Sequence, residues 1–226
     1  VKDGLNWYSY CGGNPVTGWD PSGLKLILTG LEGDIKQLYS YIDKLTDDSL
    51  TYWTDDWGFW HIEVSERKDD GNLKVGTSLV RRLIENENYE CMVKLSEDSS
   101  NTMPIDYEGA SSVGSSSMVN LSKKDTVAYV KGFFGVKKEI IPKEIEIGHE
   151  LIHALRFMGG NRKKEEEKGY IGNYEESAKC EEYETSGISY YKIDGNNTYV
   201  NANEWITTEN ALRRERGYKE RVRYKI

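Results

Sequence analysis

Apolar residues recur along the chain with two different periods. Leu31, Ile35, Leu38, Ile42 and Leu45 fall at helical spacing and predict an amphipathic helix over about 31–45. Trp60, Ile62 and Val64 alternate with His61, Glu63 and Ser65, the pattern of a half-buried strand with His61 on its polar face. Leu79, Val80, Leu83 and Ile84 predict a second helix over about 77–86, and Tyr89, Cys91, Val93 and Leu95 alternate as another strand. The Ser- and Gly-rich stretch 96–117 reads as a loop, followed by weaker strand signals at 119–121 and 127–130. Pro142 suits a helix start, with Ile145, Leu151, Ile152 and Leu155 behind it. The charge run NRKKEEEKG at 161–169 reads as a solvated helix end and loop, and two further helices are expected at about 174–185 and 203–216. Both periods together predict an α+β domain with a small mixed sheet.

Composition narrows the class. A chain of 226 residues fits one sizeable domain with an appendage, and its 6 Trp, 16 Tyr and 4 Phe supply the area a core needs. The net charge of -8 argues against a nucleic acid partner. No apolar run approaches the ~18–20 residues of a spanning helix, so membrane insertion of this domain is not expected, and no secretory signal opens the chain. The 3 Cys, at 11, 91 and 180, are too few and too scattered for a disulfide framework or a thiolate zinc knuckle. The first residue is Val1, which reads as the start of a fragment or processed product.

Histidine is the informative residue. There are 3, and two of them lie in IGHELIHALR at 147–156. His149 and His153 are four residues apart, so on a helix they share a face and can reach one metal ion. Glu150 sits on the edge of that face, where a carboxylate can take a proton from a zinc-activated water at neutral pH. Apolar Ile147, Leu151, Ile152, Ala154 and Leu155 would bury the helix and hold the site rigid. A catalytic zinc needs a third protein ligand and an open position. No His follows His153, so the third ligand should be a carboxylate. Glu175, Glu176, Glu181, Glu182 and Glu184 all crowd one later segment, and spacing does not choose among them; most read as solvated helix surface.

Two resemblances add to this. Residues 1–24 are Gly-rich and turn-rich, with Asn6-Trp7-Tyr8-Ser9-Tyr10 leading to Pro15 and then Asp20-Pro21-Ser22-Gly23-Leu24. This resembles the end of the core of Rhs (YD-repeat) proteins, whose Pro-x-x-x-x-Asp-Pro-x-Gly-Leu signature is complete here. The resemblance implies that 1–24 is a carrier junction and 25–226 a toxin domain. It further implies autoprocessing after Leu24 involving Asp20, delivery by a carrier shell, and a cognate immunity protein as partner.

The second resemblance covers about 145–226. HELIHALR, then Glu181-Glu182-x-x-Thr185-x-Gly187, then Thr208-Glu209 and finally Arg221-x-x-Tyr224 are similar to the layout of clostridial neurotoxin light chains. They are closer still to effector zinc metallopeptidases of the NleD kind. The resemblance implies a zincin-like metalloprotease fold around the helix that carries His-Glu-x-x-His. It also implies one Zn2+ per chain held by His149, His153 and Glu182, with Glu150 as general base. Glu209 would support the site, and Arg221 and Tyr224 would stabilise the oxyanion. The expectation is a secreted or injected zinc endopeptidase acting on proteins in the target-cell cytosol. Two alternatives stand beside it. One is a non-enzymatic effector that docks through the aromatic segment YWTDDWGFW at 52–60, and the other is a metal hydrolase acting on peptidoglycan peptides. Taken as plain structure, 209–224 would be a basic C-terminal helix with Arg and Glu paired on its surface.

Overall fold

The computed structural model describes residues 26–223, apart from the side chains of 173–176. The junction residues Asp20, Pro21, Gly23 and Leu24, and also Tyr224, lie outside the described residues. Strands and helices are interleaved as an α+β domain. The main sheet has six strands in the order β2-β3-β1-β4-β6-β5: β1 (Leu26–Leu28), β2 (Ser49–Thr54), β3 (Trp60–Glu66), β4 (Cys91–Ser96), β5 (Asn101–Pro104) and β6 (Ser117–Ser122). Strands β1, β4 and β6 run parallel, with Ile27 opposite Met92 and Val93 opposite Val119, and the antiparallel strands flank them. A three-stranded sheet joins β7 (Val127–Gly132) and β8 (Gly135–Ile140) to β13 (Arg221–Arg223), and a four-stranded one is built from β9 (Lys168–Ile171), β10 (Asn173–Lys179), β11 (Tyr190–Lys192) and β12 (Tyr199–Val200). The main sheet is therefore larger than the small mixed sheet expected, because the edge strands β2, which buries only Leu50, and β5, only four residues long, add to its two sides without clear alternation.

The helices are α1 (Glu32–Asp43), α2 (Lys74–Ile84), α3 (Lys143–Met158), α4 (Cys180–Ser186) and α5 (Glu209–Glu215). Ile35, Leu38 and Ile42 are the buried stripe of α1, as their spacing predicts, and Leu79, Val80, Leu83 and Ile84 that of α2. Pro142 precedes α3, which packs on β5 and β6 and also touches α1, α2 and α5. Enclosed on so many sides, α3 has 13 of its 16 residues buried, polar and apolar alike. Its apolar positions join the main core with Leu26, Leu28, Val93, Val119 and Leu121. A smaller core of Ala178, Cys180, Tyr183, Ile188 and Tyr190 sits under the four-stranded sheet.

Several expectations are corrected. The 96–117 segment is not all loop, since β5 lies within it and a 3-10 turn spans Gly109–Ser111. The predicted 174–185 helix is half strand: β10 runs to Lys179 and α4 starts at Cys180. The 203–216 helix is a 3-10 turn at Ala202–Glu204 followed by the shorter α5. The basic C-terminal helix stops at Glu215, and 221–223 leave it to pair antiparallel with β7, placing Arg221 opposite Val130. His61 is no polar-face residue; it is buried, stacked on Trp53 and bonded to Asp55 through Nε2 at 3.0 Å.

One partly buried ion pair ties α2 to the loop before β2. Arg81 donates from Nε and Nη2 to the two oxygens of Asp48, both at 2.6 Å, and the Lys68 amide donates to the same carboxylate. The Arg81 fork holds the Asp48 carboxyl below its usual value against the burial that would raise it. A depressed carboxyl contributes stability that is present above its unfolded pKa and lost as pH falls through the folded one. Arg81→Ala should therefore cost about 2–4 kcal/mol at neutral pH in a denaturant titration, because it strands a buried carboxylate. The same variant should lose less stability on acidification than the parent chain.

Candidate metal centre

The centre is assembled from α3, α4 and α5. On α3, His149 and His153 point the same way, with Nε2 atoms 3.2 Å apart. Glu182, in the first turn of α4, brings Oε2 to 3.4 Å from His149 Nε2 and 3.5 Å from His153 Nε2. These three side chains form a group able to hold a metal ion. Each imidazole is fixed from behind. His149 Nδ1 faces Glu209 Oε2 at 2.9 Å, and His153 Nδ1 faces Glu181 Oε1 and Thr185 Oγ1, each at 3.2 Å. Carboxylate acceptors at Nδ1 put the ring proton there and leave the Nε2 lone pair bare. Two lone pairs and a carboxylate oxygen then converge at 3.2–3.5 Å, an arrangement that repels itself unless a cation or proton lies between them.

The local charges point the same way. Glu182 Oε2 is buried without a hydrogen-bond partner. Burial disfavours protonation of His153, yet the charge of Glu182 and the hydrogen bond to Glu181 overcome it and lift its pKa to about 10. Burial would also raise Glu182, but the adjacent histidines hold it well below the usual carboxylate range. The anionic cluster thus calls for positive charge at the point where the three ligand atoms meet. The Glu182 side chain keeps 23% exposure against 9% and 6% for the histidines, so the cluster opens to solvent on one side.

The neighbouring motif residues each have a local reason. Gly187 caps α4 in the left-handed region at φ 72°, and a Cβ there would press on Thr208 at 2.5 Å. Thr208 caps α5 by accepting from the Ala211 amide at 3.1 Å, which sets Glu209 at the first helical position, facing His149. Gly148 lets α5 approach α3 closely, because a Cβ would lie 2.6 Å from Leu212 Cδ1. Glu209 is fully buried and bonded to Arg213 Nε at 2.7 Å and Arg221 Nη1 at 3.0 Å. Burial would raise its carboxyl, but Arg221, His149 and Arg213 depress it strongly. Arg221 is thereby brought to the centre from β13, with its guanidinium held on Glu209.

Glu150 lies on the same helix, buried, and accepts from Thr102 Oγ1 on β5 at 2.7 Å. Burial lifts its carboxyl above the usual value against the opposing pull of His149 and His153. Sequence reasoning missed four supports. Glu181 and Glu184 were expected on a solvated surface, but both are buried on Arg156, which donates to Glu181 Oε1 at 2.7 Å and Glu184 Oε2 at 2.6 Å. Thr102 gave no signal inside a segment read as loop. For Arg156, its place three residues after His153 and the paired acids at 181 and 184 were the available clue.

The class these features define is an α+β domain whose central buried helix presents two histidines and an adjacent carboxylate, completed by a glutamate from the following helix. The sequence model of the Peptidase_M91 family, described as an effector protein, matches residues 69–224, and the chain belongs to that family of effector peptidases. No curated protein matches the chain.

Proposed function

We propose that this protein is a zinc-dependent endopeptidase effector that cleaves proteins of the cell it enters. The observation that carries this reading is the convergence of His149 Nε2, His153 Nε2 and Glu182 Oε2 at 3.2–3.5 Å. Tetrahedral zinc with bonds near 2.0–2.1 Å has ligand-to-ligand edges of about 3.3 Å. The donor set, two neutral imidazoles and a carboxylate with an open side, is that of catalytic rather than structural zinc sites, which supports a zincin-like fold. Zinc held there would supply a Lewis acid for the scissile carbonyl and lower the pKa of water toward ~7.

The chain's own groups divide the remaining work. Glu150, raised in basicity by burial, takes the proton of the attacking water and passes it to the departing amine. Thr102 orients the carboxylate through its 2.7 Å bond. Glu209 and Glu181 keep His149 and His153 in the tautomer that exposes Nε2. Arg221 donates to the carbonyl oxygen as negative charge develops, the kind of contact whose loss costs ~10²–10³ in rate. Tyr224 would share that role on the strength of the neurotoxin-like motif. Delivery by an Rhs-type carrier, cleavage after Leu24 and neutralisation by an immunity protein belong to the same proposal.

Purified chain equilibrated with zinc and then dialysed should hold one ion per chain by metal analysis. Glu209→Gln should lower the affinity by about 10–100-fold, since partners behind a ligating histidine commonly carry that much. A chain that cleaves protein at full rate after complete removal of metal would sink the reading.

A further inference from the structure

Among the described residues, the hairpin of β7 and β8 carries the two most exposed large apolar side chains, Phe133 at 94% and Phe134 at 96%. They form the two-residue turn between the paired Gly132 and Gly135. Such turns are ordinarily built from Asn, Asp and Gly, whose side chains suit both the backbone and water. Two adjacent phenylalanines there are costly to solubility and serve neither turn geometry nor the core. From this tip one face of the ribbon continues outward. The alternation that buries Ala128 and Val130 on the inner face puts Tyr129, Lys131, Val136, Lys138 and Ile140 on the outer one, with Val127 opposite Ile140. Lys138 lies over the Tyr129 ring at 5.2 Å, and Arg223 of β13 is registered beside Tyr129. On the ribbon itself Glu139 projects from the other side, where it pairs with Lys137 and Lys219, and Glu220 of the neighbouring segment, whose carbonyl accepts from the Lys131 amide, has its charge taken up by Arg214. In a chain of net charge -8 the face is a local reversal of sign.

We infer that this hairpin docks on an anionic lipid surface, with Phe133 and Phe134 entering the interface and Lys131 and Lys138 resting among the headgroups. The ordering of side chains along the ribbon supports a bilayer as the occupant. Apolar rings are foremost. Lys131 stands two residues behind Phe133 and Lys138 four behind Phe134, about 7 and 13 Å at strand rise. Interfacial segments sink about 5–10 Å into the headgroup boundary, so the rings reach acyl chains while the ammonium groups stay at phosphate level. Each lysine near an anionic leaflet adds about fivefold in affinity, and the overall negative charge of the protein would orient it hairpin first. Among the described residues no helix is long and apolar enough to cross a membrane, so the contact is peripheral. Because β13 joins this sheet and carries Arg221, docking would hold the metal centre close to the lipid surface.

The test is co-sedimentation of the full chain with vesicles of phosphatidylcholine alone and of phosphatidylcholine mixed with phosphatidylserine at about two to one. Binding is expected to the mixed vesicles, to weaken as salt rises, and to be much weaker to phosphatidylcholine alone. The double variant F133S/F134S should bind the mixed vesicles at least ~10-fold less, from the lost burial of two rings. K131Q/K138Q should lose the preference for phosphatidylserine while leaving the rings in place. Both variants alter exposed positions and should keep the parent melting temperature and its cleavage of soluble protein. A parent chain that stays in the supernatant, binding equal on both vesicle types, or binding unchanged in F133S/F134S would overturn the assignment. The first of these, with the two rings required instead for capture of a defined protein, would make the ribbon a protein-docking face.

Discussion

Glu150→Gln is expected to lower protein cleavage by about 10²–10⁴-fold while zinc content and melting temperature stay at parent values. The exchange preserves shape, and the Gln amide oxygen can still accept from Thr102, so the helix and its packing lose little. What disappears is a group able to take a proton. Glu150 suits that role because burial lifts its carboxyl above the usual value without removing it from the helix face shared with the histidines. Steady-state kinetics on one substrate, with metal analysis of the same preparation, separate the outcomes. Near-normal turnover would remove Glu150 from the mechanism. Loss of zinc together with activity would make it a structural support of the site.

His153→Ala should abolish zinc binding at micromolar concentrations and bring activity to background. The physical basis is double. The variant deletes one of three donor atoms, and it leaves Glu181 and Glu182, both partly or wholly buried, without the imidazole that faces each of them. Thermal unfolding is the cleanest readout. A ligand at 100 times its dissociation constant stabilises the folded state by about 2.7 kcal/mol, so added zinc should raise the melting temperature of the parent chain clearly. The variant should show no such rise. A zinc-dependent shift retained in full would mean that the metal is held elsewhere, and the ligand assignment would fail.

How much of this was legible beforehand depended on whether the deciding interaction was local. The stripes of α1 and α2, the strands β3 and β4, and the paired histidines of α3 all follow from neighbours within a turn or two of chain. The segment 173–179 is strand because it pairs with β9, and its own residues carry no alternation to announce this. β5 is hidden for a related reason. It is a four-residue edge strand with a single buried residue, Pro104, yet it delivers Thr102 to Glu150.

The sequence by itself pointed to the class of chemistry proposed. His149, Glu150 and His153 share a helix face at fixed spacing, and the lack of a later histidine required a carboxylate to complete a metal site. Only the tertiary structure decided which carboxylates do what. The packing of α4 against α3 sends Glu182 toward the Nε2 atoms and turns the adjacent Glu181 to His153 Nδ1 and Arg156. Two neighbouring glutamates of the same type acquire opposite places because successive helical residues point about 100° apart. That angle has consequences only once a second helix supplies the partners.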